Sequence, residues 1–139
     1  MGGKTLNILI ADTDDLFRNK LKEILYEVEI HNTFYNFNVM CPASVEEIKL
    51  VFESDKIDLA FIDSAFFTEK DKAKVDEFKK INMNCHLVML IPDEASNSVY
   101  EIIEHMGKQK SYQLSGHILK DNYSREMVRV MVEIFINKL

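Results

Sequence analysis

Three carboxylates, Asp12, Asp14 and Asp15, crowd the end of the stretch ILIADTDDLFR. Like charges this close disfavour one another's ionised form unless something positive arrives. Two chemistries suit such a cluster. Carboxylates can hold a hard divalent cation such as Mg2+, which prefers oxygen ligands. One of them can also act as a nucleophile and form an aspartyl phosphate. A plainer use competes with both, because acids in the first turn of a helix complement its dipole. Two further residues bear on the choice: Asp63 ends the apolar run DLAFI, and Lys120 follows HIL. A lysine ammonium pairs with phosphate oxygens. Acids and a lysine gathered in one place would therefore form a site for phosphoryl chemistry.

Bringing them together requires a particular order of elements. Leu6 to Ala11 reads as a first strand, and Leu16, Leu21, Ile24, Leu25 and Val28 then recur at helical spacing. Phe37 to Cys41 reads as a second strand. Ser44, with Glu47 three residues on, forms a capping box for a helix whose inner stripe is Val45, Ile48, Val51 and Phe52. Asp58 to Ile62 is the third strand, followed by a charged helix near Glu69 to Ile81. Leu87 to Ile91 is the fourth strand, and a helix is expected over Ser96 to Met106. A polar stretch leads to a short fifth strand at His117 to Leu119, and Ser124 caps a last helix.

That pattern is (βα)5, and short apolar strands alternating with amphipathic helices predict a three-layer α/β sandwich around a parallel sheet. Ligands of such sheets sit outside the carboxyl ends of the strands. Asp12 follows strand one, Asp63 follows strand three and Lys120 follows strand five, so all three are expected at one edge.

The whole chain of 139 residues is expected to be one domain, with residues 1–5 a disordered N-terminus or tag remnant. A hydrophobic share of 47% suffices for a core and excludes a disordered chain. With 17 basic and 23 acidic residues, net −6, and no long basic cluster, direct nucleic-acid binding is not expected. No apolar run reaches membrane-spanning length. Two cysteines, Cys41 and Cys85, stand outside any CxxC, which suits a reducing cytoplasm.

Taken together, NILIADTDDLFRNKLKEIL, IDLAFIDSAFF and HILKD resemble the receiver domains of two-component response regulators, over nearly the whole chain from Asn7 to Leu139. The resemblance implies a flavodoxin-like sheet of order 2-1-3-4-5. It implies Asp63 as phosphoacceptor and Lys120 as the phosphate-sensing lysine. It also implies Mg2+ held by Asp12 and Asp63, with Asp14 as a further candidate ligand, and Thr13 in place of a direct ligand makes that hold weak. A histidine kinase or other phosphodonor would supply the phosphoryl group. A downstream protein partner would take the output, with homodimerisation through the Ser96–Met106 helix, the fifth strand and the last helix as one form of it.

The departures from the family pattern are as informative. Its second acid, a direct Mg2+ ligand, falls at Thr13; its switching hydroxyl after strand four falls at Ile91; its aromatic switch falls at His117; and its proline after the lysine is Asp121. An atypical or pseudo-receiver that binds partners without phosphorylation is therefore a second form of the same reading. The surplus apolar residues Val130, Ile134 and Ile136 on the last helix suit a partner surface. A different class competes. A strand ending in DxD also resembles haloacid-dehalogenase-type phosphatases, with Asp12 as nucleophile, Asp14 as general acid/base and Asp93 with Glu94 as late acids. A flavin-binding module of the same topology is third, because no hydroxyl- or glycine-rich phosphate loop follows strand one in this sequence.

Overall fold

A computed structural model of the chain describes residues 3–32, 34–68, 70–92, 101, 104, 113–121 and 123–139. Five strands form one sheet: β1 (Lys4–Ala11), β2 (Tyr35–Met40), β3 (Leu59–Asp63), β4 (His86–Ile91) and β5 (Gln113–Leu119). Their order is β2-β1-β3-β4-β5, and every pairing is parallel, as expected from the alternating pattern. The helices are α1 (Asp15–His31), α2 (Val45–Ser54), α3 (Ala65–Thr68), α4 (Lys72–Lys79) and α5 (Arg125–Asn137).

Side chains set the helix starts. Asp14 caps α1 by accepting from the N–H groups of Leu16 and Phe17, Ser44 caps α2 through the N–H of Glu47, and Ser124 caps α5 through that of Met127. The Glu47 carboxylate reaches back to the N–H of Ala43 at 2.8 Å, one residue before the cap. The helix expected from Glu69 to Ile81 is shorter, α4 alone, and a separate four-residue turn of helix that the sequence reading did not foresee, α3, precedes it after β3. Asp71 starts α4 by accepting from the N–H groups of Ala73 and Lys74, which resets the helix there.

Strand limits also differ from the sequence reading. β1 begins at Lys4, paired with Tyr35, and Thr5 pairs with Asn36, so these two residues of the expected disordered terminus are strand. β2 runs Tyr35–Met40, shifted toward the N-terminus from Phe37–Cys41, because β1 offers partners from Lys4 onward. β5 starts at Gln113, four residues before the expected His117. The segment QLSG reads as loop from its serine and glycine, yet β4 supplies hydrogen-bonding partners and a bulge between Leu114 and Gly116 takes up the extra residue. A Cβ on Gly116 would stand 2.9 Å from Cε1 of Phe135, so the missing side chain lets α5 press its ring onto the strand. Of the helix expected at Ser96–Met106, only Glu101 and Glu104 fall among the described residues, and both are helical and exposed.

The sheet separates two cores. On one face α1 and α5 bury Phe17, Leu21, Ile24, Leu25, Val28, Val128, Val132 and Phe135 against Ile8, Ile10, Phe61 and Val88. On the other, Ile48, Phe67, Phe78 and Ile81 meet Leu9, Ala60, Ile62, Met89 and Ile91. β3 is buried along its full length. A strand covered on both faces can present a polar group only at its end, which is where Asp63 stands.

Candidate functional site

Three strand ends meet at the carboxyl edge of the sheet. Asp12 directly follows β1, Asp63 is the last residue of β3, and Lys120 directly follows β5. The Lys120 ammonium lies 2.8 Å from Asp63 Oδ2, 2.9 Å from Asp12 Oδ2 and 3.1 Å from Asp12 Oδ1. All three residues are buried. The ammonium also faces the Phe17 ring, 5.2 Å from its centroid, where the ring's quadrupole favours a cation. The residues proposed from the sequence as one cluster thus stand within hydrogen-bonding distance, although 108 and 57 positions separate Lys120 from the two acids.

Backbone groups fix the carboxylates. Asp63 Oδ1 accepts from the N–H of Ala65 at 2.7 Å, so the turn into α3 orients the side chain. Asp12 Oδ1 accepts from the N–H of Asp14 at 2.9 Å. Arg18, one turn into α1, donates to the Asp12 carbonyl at 3.0 Å and pairs with Asp15. Asp15 therefore belongs to the helix start and its ion pair. Asp14 does two things: Oδ1 caps α1, while Oδ2 lies 3.5 Å from the Lys120 ammonium. The side chain thus reaches the rim of the site despite its offset of one residue.

Burial is the chief influence on Asp12 and pushes its carboxyl up; the Asp14 N–H and the Lys120 ammonium oppose this, and the Asp63 charge adds to the rise. For Asp14, slight burial is outweighed by the Phe17 N–H and the Lys120 charge, which hold it below the ordinary carboxylate value. Burial would lower Lys120, but hydrogen bonds to Asp63 and Asp12 and their charges outweigh it and raise the ammonium. Lys120 is therefore charged at neutral pH and tied to two acids.

The remaining positions fall as follows. Thr13 is exposed beside the site and lines a groove of about 950 Å³ between α2 and α4. Ile91 is buried in the second core, and its carbonyl accepts from the Lys120 N–H at 2.9 Å, so its contribution here is backbone geometry. His117 is half-buried on β5, paired with Met89. Asp93 and Glu94 lie outside the described residues. Sequence reasoning missed Phe17 and Arg18 as neighbours of the site. Their places five and six residues after Asp12 put them on the first turn of α1, the one signal that could have found them.

The donor set suits a hard cation in kind. Asp12 Oδ2 is buried and accepts no hydrogen bond, because its 2.9 Å contact with the ammonium is ionic and poorly aligned for one. In arrangement the site is closed around Lys120: among the described residues, no three His, Cys, Asp or Glu side chains are grouped as a ready metal cage.

No family model matches this sequence, and no curated protein is significantly similar to it. Solved structures are similar in fold. A CheY-like response regulator receiver domain protein from Methanospirillum hungatei JF-1 superposes with a TM-score of 0.66 at 16% identity, covering 97% of this chain and 96% of that one. A receiver domain protein from Clostridium thermocellum gives 0.60 at 17% identity over 96% and 95% of the two chains. The Vibrio cholerae chemotaxis protein CheY4 gives 0.59 at 14% identity over 94% and 98%. With its 2-1-3-4-5 parallel sheet and the convergence of three strand ends, the chain has the fold of a response regulator receiver domain.

Proposed function

We propose that this chain is a receiver-type signalling module of atypical build, with Asp63 as its phosphoacceptor. The observation that carries the reading is the meeting of Asp12, Asp63 and Lys120 at the carboxyl edge of this sheet, two acids and an ammonium from three separate strand ends. An Asp63 carboxylate oxygen attacks phosphorus while the bond from phosphorus to the donor's imidazole nitrogen breaks; that nitrogen keeps the electron pair and takes a proton from solvent, leaving an aspartyl phosphate and a neutral donor histidine. Lys120 pairs with the new phosphoryl oxygens. The Ala65 N–H holds the other Asp63 oxygen and so fixes the direction of attack. Oxygens of Asp12 and Asp63, aided by Asp14, would hold Mg2+, which supplies charge neutralisation for the incoming group. With Thr13 in place of a second acid, that hold is weak.

Output runs through protein contact. Met127, Val130 and Ile134 stand about half exposed along one stripe of α5, a surface suited to a downstream partner or a second copy, whereas Ile136, expected on that surface, is 1% exposed and packs in the core under α1 and α5. A ligand shifts an equilibrium only by its differential interaction with the two states. Ile91 offers no hydroxyl for a phosphoryl group to draw in, so this surface is available in the unmodified protein. The phosphatase alternative gains no support. Its general acid, Asp14, spends one carboxylate oxygen capping α1, and the solved structures compared above are receiver and chemotaxis proteins.

Incubation with acetyl phosphate and Mg2+, read by intact mass, tests the assignment. One phosphoryl adduct is expected in the parent and none in Asp63→Asn. An adduct that survives Asp63→Asn, or p-nitrophenyl phosphate turnover that depends on Asp12, overturns it. For the output surface, Ile134→Asp is expected to weaken partner binding or self-association, with Asp63→Ala leaving it nearly unchanged.

A further inference from the structure

β2 is an end strand of the sheet, so one row of its backbone groups meets no partner strand. Natural edges are blunted by charged residues, proline, bulges or covering segments. β2 reads YNFNVM, without charge or proline, and its register with β1 runs from Tyr35 to Met40 without a shift. Side chains from α1 and the turn after it take its outward donors instead. Asn32 Oδ1 accepts from the N–H of Tyr35 at 3.1 Å, and Glu29 Oε2 accepts from that of Phe37. The Asn32 contact belongs to the turn, since the same oxygen also takes the Phe34 N–H at 2.7 Å. The Glu29 contact does not, because it reaches from α1 to the middle of the strand. Alternation along the strand turns the N–H and C=O groups of Tyr35, Phe37 and Val39 to this same side. The surface around them is apolar. Tyr26 and Ile30, one turn apart on α1, are 63% and 59% exposed, and Phe34, just before β2, is 73% exposed. Tyr26 and Glu29 line, with Phe37 and Val39, a recess of about 270 Å³ along the edge.

We propose that the outer edge of β2 is a pairing site for a second copy of this chain, and that the Glu29 carboxylate is the latch that keeps it shut. The pairing is antiparallel about Phe37, so Phe37 faces its own copy and Tyr35 faces Val39 of the other. Each of these residues then exchanges N–H and C=O bonds across the seam. The two-fold axis stands perpendicular to the sheet, which puts the two α1 helices on one face and lets their exposed Tyr26 and Ile30 cover one another. A second copy is the occupant that fits, because the strand is neutral and complementary to itself in this register. On the face away from α1, exposed Asn36 meets Asn38 of the other copy, and amides pair well there. Opposing this is the Glu29 bond to the Phe37 N–H, which must break in each copy. A bond to a carboxylate is stronger than the neutral bond that replaces it. With the latch closed the chain therefore stays single at this edge. The pairing does not depend on phosphoryl chemistry at Asp63.

The test is sedimentation of the whole chain carrying Ile134→Asp, which removes association through α5. In that background Glu29→Ala is expected to dimerise about tenfold more tightly for each latch removed. Glu29→Gln, whose amide oxygen still accepts from the Phe37 N–H, is expected to fall between the parent and Glu29→Ala. Val39→Pro removes a donor that the seam uses and the β1 ladder does not, and it is expected to return Glu29→Ala to monomer. Amide exchange at Val39 is expected to slow in the Glu29→Ala dimer. A Glu29→Ala chain that melts cooperatively yet stays monomeric overturns the proposal, as does a parent that dimerises as tightly as the variant. Association that survives Val39→Pro, or leaves Val39 exchange unchanged, also overturns it, since another surface is then in use. Should Glu29→Ala fail to fold, Glu29→Met, which keeps the length of the side chain and removes the acceptor, is read by the same measurements with the same two outcomes.

Discussion

The two faces of the sheet are built differently. On one, α1 buries five side chains, Phe17, Leu21, Ile24, Leu25 and Val28, and α5 buries four, Val128, Val132, Phe135 and Ile136. Arg125 ties the two helices by pairing bidentately with Glu27. On the other face, α2 buries only Ile48 fully, with Val45, Val51 and Phe52 partly buried against the same core, and a groove of about 950 Å³ lies between α2 and α4. The difference is one of apolar area. A helix with a wide buried stripe is held by packing, whereas one with a single fully buried residue and a half-buried stripe depends more on its cap and its own propensity. The site sits between these regimes. Asp12 and Phe17 belong to the firm face, while Thr13 opens onto the groove of the loose one. Local opening should therefore begin at α2 and leave the ends of β1 and β3 in place.

The largest effect should come from the firm face. Leu21→Ala removes a fully buried side chain there, and about 2–5 kcal/mol of global stability should be lost by urea denaturation. A loss well under that range would mean that the α1 layer collapses onto cavities as easily as the α2 layer, and the contrast would fail.

Next comes the junction at the site, read through pH. The folded state raises Lys120 above its ordinary value of 10.5. Its contribution is therefore complete below that pH and is lost as pH rises through the higher folded value. As pH rises above 10.5 the parent should lose stability more steeply than Lys120→Met. Equal slopes would show that the ammonium is not held more tightly in the folded chain.

A smaller effect belongs to the loose face. Ser44→Ala removes the α2 cap and should cost about 1 kcal/mol. Hydrogen exchange should quicken in α2 while α1 keeps its protection. Quickening of both helices together would mean that the faces unfold as one unit.

The smallest change is expected at Leu50, which is 62% exposed on the groove side of α2. Leu50→Asn should alter stability by no more than about 0.5 kcal/mol. A larger loss would reveal that the groove is closed over Leu50 in solution, which would make α2 better packed than its single buried anchor suggests.

The alternation of strands and helices, the caps Ser44 and Ser124, and the strand ends carrying Asp12, Asp63 and Lys120 were all legible from residue order. Each rests on local chemistry: periodicity shows which residues are buried, a capping side chain serves N–H groups within three residues, and a buried strand can turn polar only at its tip. What lies across the chain was not legible. β5 extends back to Gln113 because β4 offers a partner, which overrides the loop propensity of Ser115 and Gly116. The start of α4 at Lys72 rather than near Glu69 is visible only once Asp71 is seen to cap it, and α3 is too short to show a helical pattern in the sequence. Most of all, the sequence places two acids and a lysine at one edge but does not say that the lysine occupies the space between the acids. That arrangement depends on the lengths of β3 and β5, the turn after each and the ring of Phe17 behind the ammonium, and only the packed sheet brings those together.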